Sequence, residues 1–238
     1  MTPHVNPRVR AGSTITALVV AGGLMLTACG AEARVAASDG TPAAHSDDHG
    51  ASPAAKKDRI SPAALDAEMR KLWTDHVTWT RLFLVSAIAD LPDLQATTNR
   101  LLQNQDDIGA AIATFYGADA GAQLSSLLRE HILIAAALLA AAKSGDSTEV
   151  ATQRDLWYAN ADEIAAFLAT ANPAWPEASL REMMHTHLDQ TLAEATARLQ
   201  GDWNADVAEY DHIVDHILEM ADTLANGIVE QFPKRFTK

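Results

Sequence analysis

Three histidines occupy positions that helical periodicity assigns to an interior. His76 lies between Leu72 and Trp79, His131 between Leu127 and Ile134, and His187 follows Leu180 and Met184. Residues spaced three or four apart share one face of a helix, so each imidazole falls on an apolar stripe. Other polar residues keep them company. Thr191 and Glu194 continue the line of His187. Asn104 and Asp107 stand beside Leu101, Ile108 and Ala111, Asn160 and Glu163 beside Trp157 and Ile164, and Asp211 beside Tyr210 and Val214. Burial of such groups is unfavourable unless each finds a partner.

Imidazoles and carboxylates projecting from facing helices are the usual ligands of metal ions in bundles. The pattern therefore nominates His76, His131, His187, Glu194 and Asp107 as ligands of a divalent transition metal. Arg81, Asn104 and Asn160 would orient them or contact a bound cofactor or small ligand. The competing reading is structural: each imidazole bonds a backbone carbonyl or a neighbouring acid, and the polar groups only set helix register.

Weaker patterns point elsewhere. Glu182 with His185 and Glu209 with His212 match the Glu-x-x-His form of di-iron bundles. His212 and His216 are four apart, and His45 and His49 flank Ser-Asp-Asp. In a chain rich in acidic residues these read as solvated surface. No Gly-x-Ser-x-Gly, phosphate-binding glycine loop or His-Glu-x-x-His occurs. Nucleotide-dependent and common hydrolytic chemistries lack their motifs, and no catalytic residue can be named.

The elements that must position these groups are helices. Ala and Leu dominate from Ser61 onward and β-branched runs are scarce. Punctuation falls at Asp90-Leu91-Pro92-Asp93, Gly117, Ser144-Gly145-Asp146, Asn172-Pro173, Gly201-Asp202 and Pro233. The spacing predicts helices over Pro62–Ala89, Leu94–Tyr116, Ala120–Lys143, Thr148–Thr170, Glu177–Gln200 and Ala205–Gln231. Asp146 followed by Glu149 has the form of a capping box. Core stripes run through Leu65, Met69, Leu72, Trp79 and Phe83, through Leu124, Leu127, Ile134 and Leu138, and through Val207, Tyr210, Val214, Ile217, Ala221, Leu224 and Ile228. Short connections favour antiparallel neighbours. The expected fold is all-α: a single up-and-down antiparallel bundle of about six helices over residues 61–238.

The N-terminus addresses the compartment. Arg8 and Arg10 precede an apolar run from Ile15 to Ala28, which ends in Leu26-Thr27-Ala28-Cys29. A basic start, a short apolar core and small residues before a cleavage point form a secretory signal, too short for a bilayer span. A cysteine directly after the small residues resembles a bacterial lipoprotein signal, with Cys29 as the lipidation site. Residues 1–28 then read as the signal peptide and 29–60 as a disordered tether rich in Ala, Ser, Asp, Gly and Pro. No second long apolar run is read in the chain. Cys29 is the only cysteine, so no intramolecular disulfide forms. Loss of Arg8 and Arg10 with the signal takes the formal charge from −13 to −15. Such a charge disfavours nucleic acid and anionic headgroups.

A wider set of residues carries a family resemblance. Leu72-Trp73 with His76-Val77 and Trp79-Thr80-Arg81 opens it, followed by Asp90-Leu91-Pro92-Asp93. Arg100-Leu101-Leu102, Asn104 and Asp107-Ile108-Gly109 come next, then His131-Ile132 and Trp157 with Asn160-Ala161-Asp162-Glu163-Ile164. His187-Leu188 with Thr191 and Glu194, Met220-Ala221-Asp222 and Gln231-Phe232-Pro233 complete it. With these the chain resembles a set of uncharacterised bacterial all-helical proteins across nearly the whole mature domain. Members sometimes bear automatic labels such as glycosyltransferase or acetylglutamate kinase. This sequence supports neither, having no nucleotide-binding loop and no α/β alternation. The resemblance implies the fold and brings no activity with it; neither the His45 segment nor the His212/His216 pair belongs to it.

The expected function is therefore a binding protein: lipid-anchored, extracytoplasmic, touching the membrane through its lipid only, with a metal ion or small ligand in the inward cluster. A metal-dependent enzyme would use the same residues around an open coordination position. A structural or envelope-interaction protein would use the polar groups only to fix register.

Overall fold

The computed structural model describes residues 59–237. The signal, Cys29, the tether and the His45/His49 segment lie outside the described residues.

Six helices follow one another: α1 Pro62–Ile88, α2 Leu94–Tyr116, α3 Ala118–Ser144, α4 Ser147–Ala171, α5 Glu177–Gln200 and α6 Trp203–Gln231. Their starts are chemically specified. Ser61, Asp146 and Asp202 each accept a hydrogen bond, at 3.1 Å, from the backbone N–H three residues on. Gly145 and Gly201 end α3 and α5 with φ of 77° and 74°, a left-handed turn that suits a residue without Cβ. The capping box expected at Asp146 is one-sided. Glu149 turns outward to accept from Gln153, and the Asp146 N–H bonds Ala141 O instead.

Each helix packs against its neighbours in sequence, and α6 closes the circuit by packing against α1. The result is an up-and-down bundle in which every helix offers one face to a shared interior. Behind the helices, Phe236 is buried and the Thr237 N–H bonds Ile60 O at 3.0 Å, which ties the chain's end to the start of α1.

Of the expected stripes, Leu65, Met69, Phe83, Leu124, Leu138, Ile217, Ala221, Leu224 and Ile228 are buried, whereas Leu72, Trp79, Leu127, Ile134, Tyr210 and Val214 are only partly so and Trp73, Val77, Leu128 and Ile132 take the interior beside them. The first turns of α6 differ. Val207 is 52% exposed and Asp206 is 2% exposed. The helix is rotated there so that Asp206, not Val207, faces inward, because two guanidinium groups wait for its carboxylate. Against expectation, α3 is also long and apolar enough to cross a membrane by length and composition alone. Here it packs between α2 and α4 as a wall of the bundle.

Helices α2 and α3 approach unusually closely through Gly109 and Gly121. A Cβ built on Gly121 would stand 2.5 Å from Gly109 O, a backbone atom that cannot swing aside. Gly121→Ala should therefore push the two helices apart and cost about 1–3 kcal/mol. Urea unfolding at neutral pH measures it; a midpoint equal to that of the parent would remove the close approach as a determinant of stability.

Candidate functional site

Helices α1, α3 and α5 run one way and α2 and α4 the other. The C-terminal halves of the first three thus surround the N-terminal halves of the second two. Between them lies a cavity of about 140 Å3. Its walls are mainly apolar, with Phe83, Leu84, Leu101, Ile132 and Leu138 prominent. Its polar inner wall consists of His76, His131 and His187, each no more than 4% exposed. The three imidazoles predicted to point inward from three helices do so, into one space.

The partner of His131 defines its protonation. Asn160 Nδ2 donates to Leu127 O at 3.2 Å, which turns Asn160 Oδ1 toward His131 Nδ1 at 2.8 Å. An amide oxygen only accepts, so the His131 proton sits on Nδ1 and Nε2 is a bare lone pair. That Nε2 is buried and has no partner among the described residues. Gln105 is the neighbour of His76. Gln105 Nε2 donates to Leu101 O at 2.8 Å, which fixes its amide, and approaches His76 Nδ1 at 3.3 Å. The same Nε2 also donates to Asn104 Oδ1 at 3.2 Å, so its two protons are matched by two oxygens and its approach does not fix the His76 tautomer. The His187 ring lies 5.6 Å from that of His76, and its Nδ1 is buried without a partner.

Burial keeps all three uncharged. It pushes His76 down to about 3, with nearby His131 adding to the effect, and His131 down to about 4. His187 is held well below the ordinary imidazole value, by burial first and then by His76 and His131. Thr80 and Thr191, also in the wall, spend their hydroxyl protons on the carbonyls of His76 and His187, each at 2.8 Å. Trp157, 5.1 Å from the His131 ring, has a buried indole N–H without a partner. The cavity lining thus holds three neutral imidazoles and no Arg, Lys, Asp or Glu.

The expected metal set does not assemble. Asp107 is a half-exposed residue of α2, accepting from Gln103 at 3.2 Å and facing Arg100 at 3.7 Å. Glu194 is buried but turns away, onto Arg81 at 2.5 Å. Among the described residues no group of three or more His, Cys, Asp or Glu side chains could hold a metal ion. Asn104 bonds Leu72 O at 3.0 Å, bracing α2 against α1, and does not line the cavity. Arg81 belongs to a separate ion cluster, reaching Glu194 and Asp206 while Arg198 holds the other Asp206 oxygen at 2.7 Å. Glu163 and Asp211 are exposed. On α6, His212 faces solvent beside Glu209, while His216 bonds Met183 O at 2.8 Å, so the pair clasps nothing. His185 bonds Asp162 at 2.9 Å on the surface between α4 and α5.

Two residues of consequence were not singled out from sequence. Gln105 lies on the line Leu101, Ile108, Ile112 and is 0% exposed, so its spacing did carry the signal. Asp206 lies seven residues before Ile213 and fourteen before Met220, both buried. The competing apolar line through Val207 hid it.

Fold and site together define a class, an all-α six-helix bundle with a cavity walled by uncharged imidazoles. No family model matches the chain, nor does any curated protein or solved structure.

Proposed function

We propose that this chain is a binding protein, held at the outer face of a cell membrane through a lipid on Cys29, whose bundle takes a small, uncharged, largely apolar ligand in the His76/His131/His187 cavity. The observation that supports it is an apolar cavity of about 140 Å3 with the buried His76, His131 and His187 among its lining residues. A cavity of that size accepts a benzene-sized molecule. The formal charge of −15 without the signal speaks against nucleic acid as the partner. The likeness to a bacterial all-helical family agrees with this reading but supplies no ligand.

Mass spectrometry of the natively purified full chain, before and after denaturation, tests the reading. A small organic molecule should be released from the parent and be absent from Ala135→Leu, whose longer side chain would fill the cavity. A stoichiometric transition metal in the same preparation would overturn it in favour of a metal centre. Labelling with a lipid precursor, lost in Cys29→Ser, checks the anchor separately.

A further inference from the structure

The shape of the cavity restricts its occupant, a step that rests on the binding reading above. On α5 the lining runs through His187, Thr191, Ala195 and Leu199, and on α3 through His131, Ala135, Leu138 and Ala142. Steps of three and four residues make one unbroken stripe on each helix, and the two helices run the same way. From its imidazole to its last member the stripe covers 11 residues on α3 and 12 on α5. That is about 17 Å of helix. Space remains along it because Ala135, Ala142 and Ala195 are short. The two ends differ. His76, His131 and His187 are buried, whereas Thr196 and Leu199 are exposed and Ala142 and Val150 half-buried. The lining thus reaches solvent where the last turns of α3 and α5 meet the first turn of α4, and it is closed at the imidazoles.

A compact cavity near 140 Å3 holds a benzene ring. Drawn out over about 17 Å, the same volume is a narrow channel, which an unbranched hydrocarbon can follow in contact on all sides. By the same comparison it takes about six to eight carbons. The unpartnered His131 Nε2, His187 Nδ1 and Trp157 Nε1 are sealed from the cavity, so they require no polar group at its closed end. No Arg, Lys, Asp or Glu lines the channel, so a strongly hydrated group drawn into it would lose water without a compensating charge. Such a group stays in solvent at the Leu199 end. We infer that the occupant is the unbranched alkyl tail of an amphiphile, with its methyl end against the imidazoles and its head group outside the mouth.

Calorimetric titration of the full chain with hexyl, heptyl, octyl and nonyl glucosides below their micelle concentrations tests this, with cyclohexyl glucoside and toluene alongside. Affinity should rise about fourfold per methylene, as burial of one CH2 gives, and level off near about eight carbons where the channel ends. Hexyl glucoside should exceed cyclohexyl glucoside by at least about fivefold, because the carbon count is equal and a ring overpacks a narrow space. Thr196→Phe, made at an exposed position of the mouth, should weaken octyl glucoside about 10-fold or more without lowering the melting temperature of the free protein. An unchanged affinity would overturn the entrance. Nuclear Overhauser contacts give the direction without a variant: the terminal methyl of bound octyl glucoside should meet the His131 or His187 ring, and its first methylene the Leu199 methyls. Sugar protons against the imidazoles would overturn it. The mass of the molecule released from the native chain separates the two sources of such a tail, a membrane phospholipid and a free single-chain amphiphile. Cyclohexyl glucoside binding as tightly as hexyl, or toluene binding where no alkyl glucoside does, would overturn the tail and leave the binding reading standing. Failure of every probe would overturn both.

Discussion

Acidification from pH 7.5 to pH 5 should lower the unfolding free energy by at least about 2 kcal/mol, with the buried imidazoles as the cause. Unfolded, each takes a proton near pH 6.5. Folded, His76 resists until about 3 and His131 until about 4, chiefly through burial. Between those values the unfolded chain binds more protons, so stability is full above about pH 6.5 and is lost as the pH falls toward the folded values. At pH 5 the penalty is about 2 kcal/mol for each of these two groups, and His187 adds to it in the same direction. Glu194 opposes them. Burial, outweighing the attraction of Arg81, raises its carboxyl to about 7, so its contribution is full below the ordinary carboxylate value and is lost as the pH rises through 7. That returns about 2 kcal/mol on going to pH 5. The balance still favours the histidines, and it is a large share of the 5–15 kcal/mol typical of a domain. Urea unfolding across this range measures it. His76→Gln should reduce the slope by about 1.4 kcal/mol per pH unit between roughly pH 4 and 6. A stability that stays level from pH 7.5 to 5 would mean the imidazoles are wetter than the cavity makes them.

Removal of Arg81 should be strongly destabilising at about pH 8.5, where Glu194 is ionised, at about 3–5 kcal/mol. Its Nη1 contacts Glu194 at 2.5 Å and Asp206 at 2.9 Å, and both carboxylates are 2% exposed. Arg81 also lies over the Tyr210 ring at 4.7 Å, so one side chain links α1 to α5 and α6. Burial lowers its pKa but the Asp206 and Glu194 bonds raise it more, so the guanidinium stays charged. In Arg81→Met, Asp206 retains Arg198 at 2.7 Å, whereas Glu194 keeps no cation among its hydrogen-bond partners. The cost is that of an unpaired buried acid, and the double variant Arg81→Met with Glu194→Met should recover much of it. If the double variant is no more stable than the single, the loss lies in packing against Tyr210 and not in charge.

The helices were legible because their signals are local. Ser61, Asp146 and Asp202 cap through neighbours three residues away, Gly145 and Gly201 terminate by their own φ, and the 3.6-residue period places His76, His131 and His187 inward from sequence alone. Even Gln105 was within reach of the same reasoning, since Leu101 and Ile108 bracket it on one stripe.

What periodicity could not supply is the identity of partners across helices. Glu194 and Asp107 share the histidines' stripes or stand beside them. Yet Glu194 is claimed by Arg81, 113 positions away, and Asp107 stays at the rim beside Gln103 and Arg100. Asp206 displaced Val207 from the interior for the same kind of reason: two guanidinium groups from other turns and helices outweighed one apolar side chain's preference. The tautomer of His131 depends on Asn160, and the neighbour of His76 is Gln105, each 29 residues from its imidazole. Six rods, and roughly which face of each turns inward, follow from local spacing alone, because a helix's face is set by its own residues. Which inward groups meet, and that a cavity remains between them, emerges from the packed fold, because hydrogen bonds and packing join residues whose separation along the chain carries no information about their separation in space.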